Sequence, residues 1–458
     1  MSWDAPDEPV DILVCGAGMA GLCAAVAAAE AGARPLVIEK GARPGGSMRM
    51  SGGTVWTAPT MAVMEAWVPG GDRARQRQLV EGIRPGLDWL ASLGVQLGKP
   101  IANDRQVGSE VAVDALTELL VRETEDRGGQ VVSETALGSL ERSETGTWTV
   151  VVHEAGGGRR TVEARSVVFA TGGFQGNAEL LARWVGPYAG SMLLRSNPRS
   201  VGDGLLAALA AGARTSPSLS TFYGHTMPAL PADVPPGRWV SVTQYASQDA
   251  MLVNERGERF FDESRSMADE TAPFDVVRQP GGRAWLVMDR RIHDEDELPG
   301  RSPSRIRENF GNAVAAGAPT VTAGSLEDLA DGLAGLGVSR RGFLATVAEF
   351  NGAIATGDGA ALPVPRRRSP FGLVEPPFRA LGVRAGITFT LGGIDVDASM
   401  RVLDRDGRPM PGLYAAGADA GGTYDRGYMG GLVLGLVQGR AAGRSAAAHS
   451  SVPREVVA

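Results

Sequence analysis

From Val10 the chain reads VDILVCGAGMAGLCAAVAAAEAGARPLVIEK, which is a short apolar run, a glycine-rich turn, an alanine-rich helical pattern and a second apolar run. That succession predicts a strand–helix–strand unit. Gly16, Gly18 and Gly21 take the G-x-G-x-x-G positions between the first run and the helix. In such a turn one glycine permits the tight bend, one lets backbone approach a pyrophosphate, and one packs helix against sheet, while helix N–H groups face the phosphates. Glu39 ends the second run, 18 residues beyond Gly21, where a carboxylate accepts hydrogen bonds from ribose hydroxyls. A glycine triplet alone marks only a helix start; strand, helix and acid together predict a dinucleotide site. This unit leaves open whether the dinucleotide is NAD or FAD.

The rest of the chain narrows the choice. A second glycine cluster, ARPGGSMRMSGGTVW, follows Glu39 too soon for an ordinary crossover and suits a flavin better than NAD. The segment TWTVVVHEAGGGRRTVEARSVVFATGGF predicts two alternating strands about a turn, then a buried strand ending in Ala170, Thr171, Gly172 and Gly173. Residues 216–365 change character, with proline clusters, aromatics and charged helical patterns, and read as an inserted capping domain. After PRRRSP, strands resume, RVLDRDGRPMPGLYAAGADAGG ends a buried strand near Gly417, and an apolar helix runs from about Gly430 to Ala448. The expected division is therefore 1–215 and 366–458 for an α/β, Rossmann-like domain built from both chain ends, with an inserted α+β domain at 216–365.

Composition limits what such a fold does. With 458 residues and 43% hydrophobic composition, two domains with substantial cores are expected. A formal net charge of -7 and a pI near 5.4 disfavour nucleic acid and anionic membrane surfaces as partners. No apolar run reaches the roughly 20 residues a bilayer requires, and MSWDAPDEPV lacks the pattern of a secretory leader, so a cytoplasmic protein with a small-molecule substrate is expected. Cys15 and Cys23 form neither a disulfide framework nor a CxxC pair. His153, His225, His293 and His449 show no metal-ligand spacing, so no metal is expected and redox chemistry falls to an organic cofactor. The absence of a second dinucleotide unit disfavours direct use of NAD(P)H, leaving a separate electron carrier or oxygen as redox partner.

Several motifs together, GAGMAG with Glu39, RPGGSMRMSGG, ATGGFQGN, GDG at Gly202 to Gly204, LVNERGERFFDES and GLYAAGADAGG, resemble the fumarate reductase and succinate dehydrogenase flavoproteins, with their 3-ketosteroid and tricarballylate dehydrogenase branches. The resemblance spans nearly the whole chain. It implies FAD, with Gly16, Ala17, Gly18, Met19, Ala20 and Gly21 at the pyrophosphate and Glu39 and Lys40 at the adenosine. Gly45, Gly46, Ser47, Ser51, Gly52 and Gly53 would meet the flavin's other side. Further contacts are implied from Ala136, Ala170, Thr171, Gly172, Asn177 and Asp203, and from Gly417, Ala418 and Asp419. Gly431, Leu432 and Val433 would place helix N–H groups at the flavin's pyrimidine edge, where reduction accumulates charge.

Departures from the family pattern are equally informative. Ser47, Met48 and Arg49 stand where some relatives attach flavin through histidine, so noncovalent FAD is expected. Phe389 replaces a carboxylate-gripping histidine of fumarate reductases, which weakens fumarate or succinate as substrate. Ala418 stands where a glutamate usually meets the ribityl chain, with Asp419 as a substitute.

The resemblance implies hydride exchange between flavin and a carbon–carbon bond activated by carboxylate or carbonyl, with an acid or base on the adjacent carbon. Arg265 lies near the proton-delivering arginine of fumarate reductases and needs a carboxylate relay, for which Asp262, Glu263 and Asp269 are candidates; a surface ion pair is the other reading. Tyr245 is a competing acid or a packed aromatic. His225 contacts substrate or is a satisfied loop histidine. Arg426 matches a carboxylate-binding arginine, and Tyr428 lines the same pocket or packs under the flavin. A ketosteroid-type dehydrogenase and a flavoprotein with structural FAD stand as alternatives.

Overall fold

A computed structural model describes residues 8–265, 268–294, 305–368 and 371–451. The first seven residues of MSWDAPDEPV and the last two of PRRRSP lie outside the described residues. The chain divides into two compact units, one from Met1–Asn177, Ser196–Phe222 and Phe389–Ala458, the other from Ala178–Arg195 and Tyr223–Thr388.

The first unit is α/β and is built from both chain ends. Its sheet runs in the spatial order Arg401–Leu403, Pro409–Ala415, Arg159–Phe169, Val10–Cys15, Pro35–Ile38, Gln130–Val132, with the hairpin Thr135–Arg142 and Trp148–Glu154 attached to Arg159–Phe169. Val10–Cys15 pairs in parallel with strands on both sides, and the register aligns Cys15 with Ile38 and with Phe169, which aligns with Ala415. Gly16, Glu39, Ala170 and Ala416 therefore follow one another along a single carboxyl edge. Residues 12–15 of the first strand and all of Pro35–Ile38 are apolar without alternation because residues on both faces are buried, with Ile12, Leu13 and Val14 fully enclosed.

The helix Met19–Glu30 is buried from Met19 through Ala28. A helix enclosed on all sides must be slim, which its alanines provide. The last helix, Leu432–Ser450, lies against it through a ridge of glycines four apart. A Cβ on Gly439 would stand 2.3 Å from the Ala20 carbonyl oxygen, and one on Gly443 would stand 2.1 Å from that of Ala24. Gly439→Val should therefore cost about 3 kcal/mol through overpacking. A urea titration followed by circular dichroism checks this, and an unchanged midpoint would contradict the packing.

The second unit is α+β and centres on the strand Phe378–Ile387. It pairs antiparallel with Arg283–Met288, Thr226–Pro228 and Thr320–Ala323, and in parallel with Leu193–Leu194. Successive residues of Met251–Val253 and Arg283–Met288 feed two cores, one around Leu252, Leu286 and Phe310 and the other around Trp285, Val287 and Phe350. Both faces of this sheet are covered.

These boundaries differ from the expected inserted domain at 216–365. Phe378–Ile387 falls within the range expected for the resumed dinucleotide domain, yet its strand partners make it the centre of the second sheet. Leu193–Leu194 joins by pairing with the same strand. Strand partnership depends on long-range register, which local patterning does not encode.

Candidate functional site

The first unit forms a cradle at the carboxyl edge of its sheet. Gly16 donates to the Ile38 carbonyl at 2.7 Å, and Gly45 donates to the Ala17 carbonyl at 2.7 Å, which draws the second glycine cluster against the first. Glu39 is buried; its Oε2 accepts from the Ala17 N–H at 2.9 Å and its Oε1 from the Gly41 N–H at 2.6 Å. Thr135 donates to the Glu39 carbonyl at 2.8 Å, so Ala136 lies beside the same strand end.

The three motif glycines differ in what surrounds them. A Cβ on Gly16, whose φ is 110°, would meet the Ala170 carbonyl oxygen at 2.2 Å, and one on Gly21 would meet the Gly16 carbonyl oxygen at 1.8 Å. Gly18 differs: its nearest neighbour would be the Gly45 carbonyl oxygen at 3.9 Å. Two glycines lock the turn and the third faces open space, as close approach of a pyrophosphate requires. Gly18 caps the helix without a side-chain acceptor, leaving the first-turn N–H groups of Met19, Ala20 and Gly21 available to phosphate oxygens. These residues fit FAD.

Around this cradle Lys40 pairs with Asp203 at 2.8 Å, and Gly204 donates to the Thr171 hydroxyl at 3.0 Å. Asp419, read above as a ribityl ligand, is fully enclosed, and its Oδ2 accepts from both the Thr171 N–H and the Thr171 hydroxyl, the latter at 2.8 Å. Burial, reinforced by nearby Asp203, pushes its carboxyl up to about 7. Its Oδ1 has no hydrogen-bond partner among the described residues. Asn177 donates to the Val201 carbonyl at 3.1 Å, and Gly172 takes a φ of 89° beside Ser200. Ser47 lies in the short helical turn Gly46–Met50, followed by Ser51, Gly52 and Gly53. Gly417 donates to Gln438 at 3.2 Å, and Ala418 belongs to the turn Gly417–Asp419.

At the start of the last helix, Gly431 donates to the Tyr428 hydroxyl at 2.8 Å, while Leu432 and Val433 supply first-turn N–H groups that have no acceptor within the helix. Tyr428 thus anchors this helix start, and its ring makes edge contacts with Trp56 at 5.5 Å, Phe389 at 5.9 Å and Tyr424 at 6.2 Å. Arg426 is exposed, with a left-handed φ of 48°.

The second unit carries a polar cluster around the end of Phe378–Ile387. Arg195 follows a strand on one side of it, donating its backbone N–H to the Ile387 carbonyl at 2.8 Å. Tyr223 and His225 come from the other side, where their carbonyls accept from Thr388 at 2.7 Å and Gly386 at 2.8 Å. Gly386 lets the two sides meet, since a Cβ there would stand 2.4 Å from Met227 and 2.9 Å from the Arg195 stem.

The Tyr223 hydroxyl lies 3.0 Å from His225 Nε2, and His225 Nδ1 lies 3.5 Å from Asp269 Oδ2, longer than a formed hydrogen bond. Tyr245 stacks edge-on to His225 at 6.1 Å. Burial lowers the His225 pKa, the Asp269 contact works against that, and the Arg195 charge lowers it further. Burial also lowers the pKa of Arg195, which still keeps its charge, and raises that of Tyr245. Arg195 Nε lacks a hydrogen-bond partner among the described residues, and its Nη1 reaches only Thr388 at 3.5 Å.

His225, Asp269 and Glu270 place three ligand atoms within 4.8 Å of one another, a grouping that histidine spacing did not foretell. The adjacent Arg195 charge opposes a cation there.

Arg265 does not join this cluster as its relay required. It is exposed and lies over the Phe261 ring at 5.4 Å. Glu263 is buried against Arg259 and Arg366, Asp262 pairs with Arg367 at 2.6 Å, and Asp269 faces His225, so the three supposed relay acids are committed elsewhere. Arg195 and Tyr223 were missed. Arg195 sits in no motif, whereas the Y-G-H spacing of Tyr223 and His225 puts both on one side of an extended segment and was legible in principle.

A dinucleotide cradle fitted to FAD, with a separate set of proton-active side chains, defines a flavoprotein oxidoreductase. The family model for the FAD binding domain matches residues 11–431, and the chain belongs to that family. It is similar to a fumarate reductase (cytochrome) of Shewanella frigidimarina, 27% identical over 93% of this chain and 75% of that protein. It is also similar to the 4-oxocyclohexanecarboxylate 2-dehydrogenase of Sinomonas cyclohexanicum, 27% identical over 93% of this chain and 90% of that protein. Among solved structures, the 3-ketosteroid-Δ4-(5α)-dehydrogenase of Rhodococcus jostii shares the fold with a TM-score of 0.72 and 23% identity, over 96% of this chain and 97% of that one. No helix among the described residues is long and apolar enough to cross a membrane.

Proposed function

We propose that this chain exchanges hydride with a carbon–carbon bond activated by a neighbouring carbonyl or carboxylate, using noncovalent FAD. The observation that carries this reading is Arg195, a half-buried cation whose Nε has no hydrogen-bond partner among the described residues, grouped with Tyr223, Tyr245 and the His225–Asp269 pair. A guanidinium polarises a carbonyl or binds a carboxylate, which acidifies the adjacent C–H. The tyrosines and histidine then hold or move the proton at that carbon. FAD, when bound, supplies the two-electron hydride chemistry. The names of the two similar proteins, a fumarate reductase and an oxocyclohexanecarboxylate dehydrogenase, both denote substrates of this kind.

Noncovalent attachment is supported by the turn Gly46–Met50, where Ser47, Met48 and Arg49 offer no histidine and Arg49 pairs with Asp114 at 2.8 Å. A separate electron carrier or oxygen completes the redox cycle in this reading.

A second reading, an apolar ketone of the steroid kind, is favoured by the ring cluster of Trp56, Phe389, Tyr424 and Tyr428 in the first unit. Anaerobic titration of the flavin with succinate, fumarate, 4-oxocyclohexanecarboxylate and 4-androstene-3,17-dione separates the two. Bleaching or reoxidation by a carboxylate supports the first reading, and a response to the steroid alone supports the second. A bound flavin that no member of the panel reduces or reoxidises would overturn both and indicate a structural cofactor.

A further inference from the structure

Within the polar cluster, three groups stand in series. Tyr223 Oη is 3.0 Å from His225 Nε2, and the opposite ring nitrogen of His225 is 3.5 Å from Asp269 Oδ2. Asp269 lies in the first turn of the helix Ala268–Val276, where the helix end favours a carboxylate. With Nδ1–H turned toward that carboxylate, Nε2 is left as an acceptor for the phenolic proton. This is the order of a nucleophile or base, an imidazole and an orienting acid found in hydrolytic triads.

We propose that Tyr223 is the proton-transfer residue of this enzyme, with His225 accepting its proton and Asp269 orienting the imidazole. The inference rests on the reading that the substrate bond is activated by a carbonyl or carboxylate. In the dehydrogenating direction, the C–H bond next to that group breaks and an O–H bond forms at Tyr223 Oη. The original phenolic O–H breaks as an N–H forms at His225 Nε2, and the resulting imidazolium faces Asp269. The neighbouring carbon gives up its hydrogen as hydride, carrying two electrons to the family's FAD, and a carbon–carbon double bond forms. Reduction reverses each transfer.

The competing groups are placed less well for this work. Tyr245 meets His225 through its ring, edge-on with centroids 6.1 Å apart. Arg265 is exposed, and of its relay acids Glu263 and Asp262 are held by other arginines while Asp269 faces His225. A cation held by His225, Asp269 and Glu270 would displace the relay, and Arg195 repels it.

The test uses the full chain loaded with FAD, kept anaerobic in D2O, with succinate and 4-oxocyclohexanecarboxylate as probes. Deuterium appears at the carbon next to the carbonyl or carboxylate in the wild type. Tyr223→Phe should keep its FAD and slow that exchange about a hundredfold or more, the usual contribution of a positioned acid or base. Asp269→Asn should lower exchange and kcat while leaving KM close to wild type, a split that a merely structural loss does not produce. Exchange in Tyr223→Phe within threefold of wild type, or its loss only in Tyr245→Phe, overturns the proposal while leaving the substrate reading intact. Failure of both probes to exchange with wild type, together with a flavin unresponsive to every carboxylate, overturns the substrate reading itself.

Discussion

Gly18→Val is expected to fold and to come off purification without its flavin. The backbone at Gly18 has a φ of -81°, which valine adopts without strain, and the nearest atom to an added Cβ is 3.9 Å away. The space the valine fills is the space a pyrophosphate needs. Displacing the phosphates from the helix start should weaken FAD binding by about 3 kcal/mol, or about a hundredfold. The measurement is flavin absorbance per chain beside a far-ultraviolet circular dichroism spectrum. Gly16→Val provides the contrast, because its Cβ would strike the Ala170 carbonyl oxygen and its φ of 110° suits only glycine, so this variant should lose the fold as well. Full flavin content in Gly18→Val would place the dinucleotide elsewhere.

Arg195→Ala is expected to retain FAD and to lose substrate. If the guanidinium holds the activating group, removing two charge-assisted hydrogen bonds should lower kcat/KM by about a hundredfold, near 3 kcal/mol. Arg195→Lys should recover only part of the loss, since an ammonium lacks the planar fork. Steady-state kinetics with the panel compound that reoxidises or bleaches the flavin decides the point. Unchanged kcat/KM in Arg195→Ala would remove this cluster from the substrate's path.

Much of the cofactor unit was legible in sequence because its constraints are local. A turn that brings Gly16 within reach of Ala170 admits no side chain, and Glu39 has to end a buried strand to receive the Ala17 and Gly41 N–H groups. Such demands leave glycines and an acid at fixed spacing.

The second unit was less legible for the opposite reason. Arg195, Tyr223, His225 and Asp269 come together because Phe378–Ile387 pairs with strands from distant parts of the chain. No single segment carries that arrangement. Arg265 shows the converse: its acidic neighbours in sequence suggested a relay, and the fold spends Glu263 on Arg259 and Arg366 instead. Buried carboxylates require partners, and which arginine arrives is settled by tertiary packing. Asp419 is likewise held through one oxygen by Thr171, a residue far from it in sequence.

The most direct test of the central claim is an absorbance spectrum of the purified chain, followed by denaturation and analysis of the released chromophore. The account predicts a flavin spectrum and equimolar FAD released into the supernatant. Flavin that stays with the precipitated polypeptide would contradict noncovalent attachment alone. A colourless protein that cannot be reconstituted with FAD would contradict the claim itself.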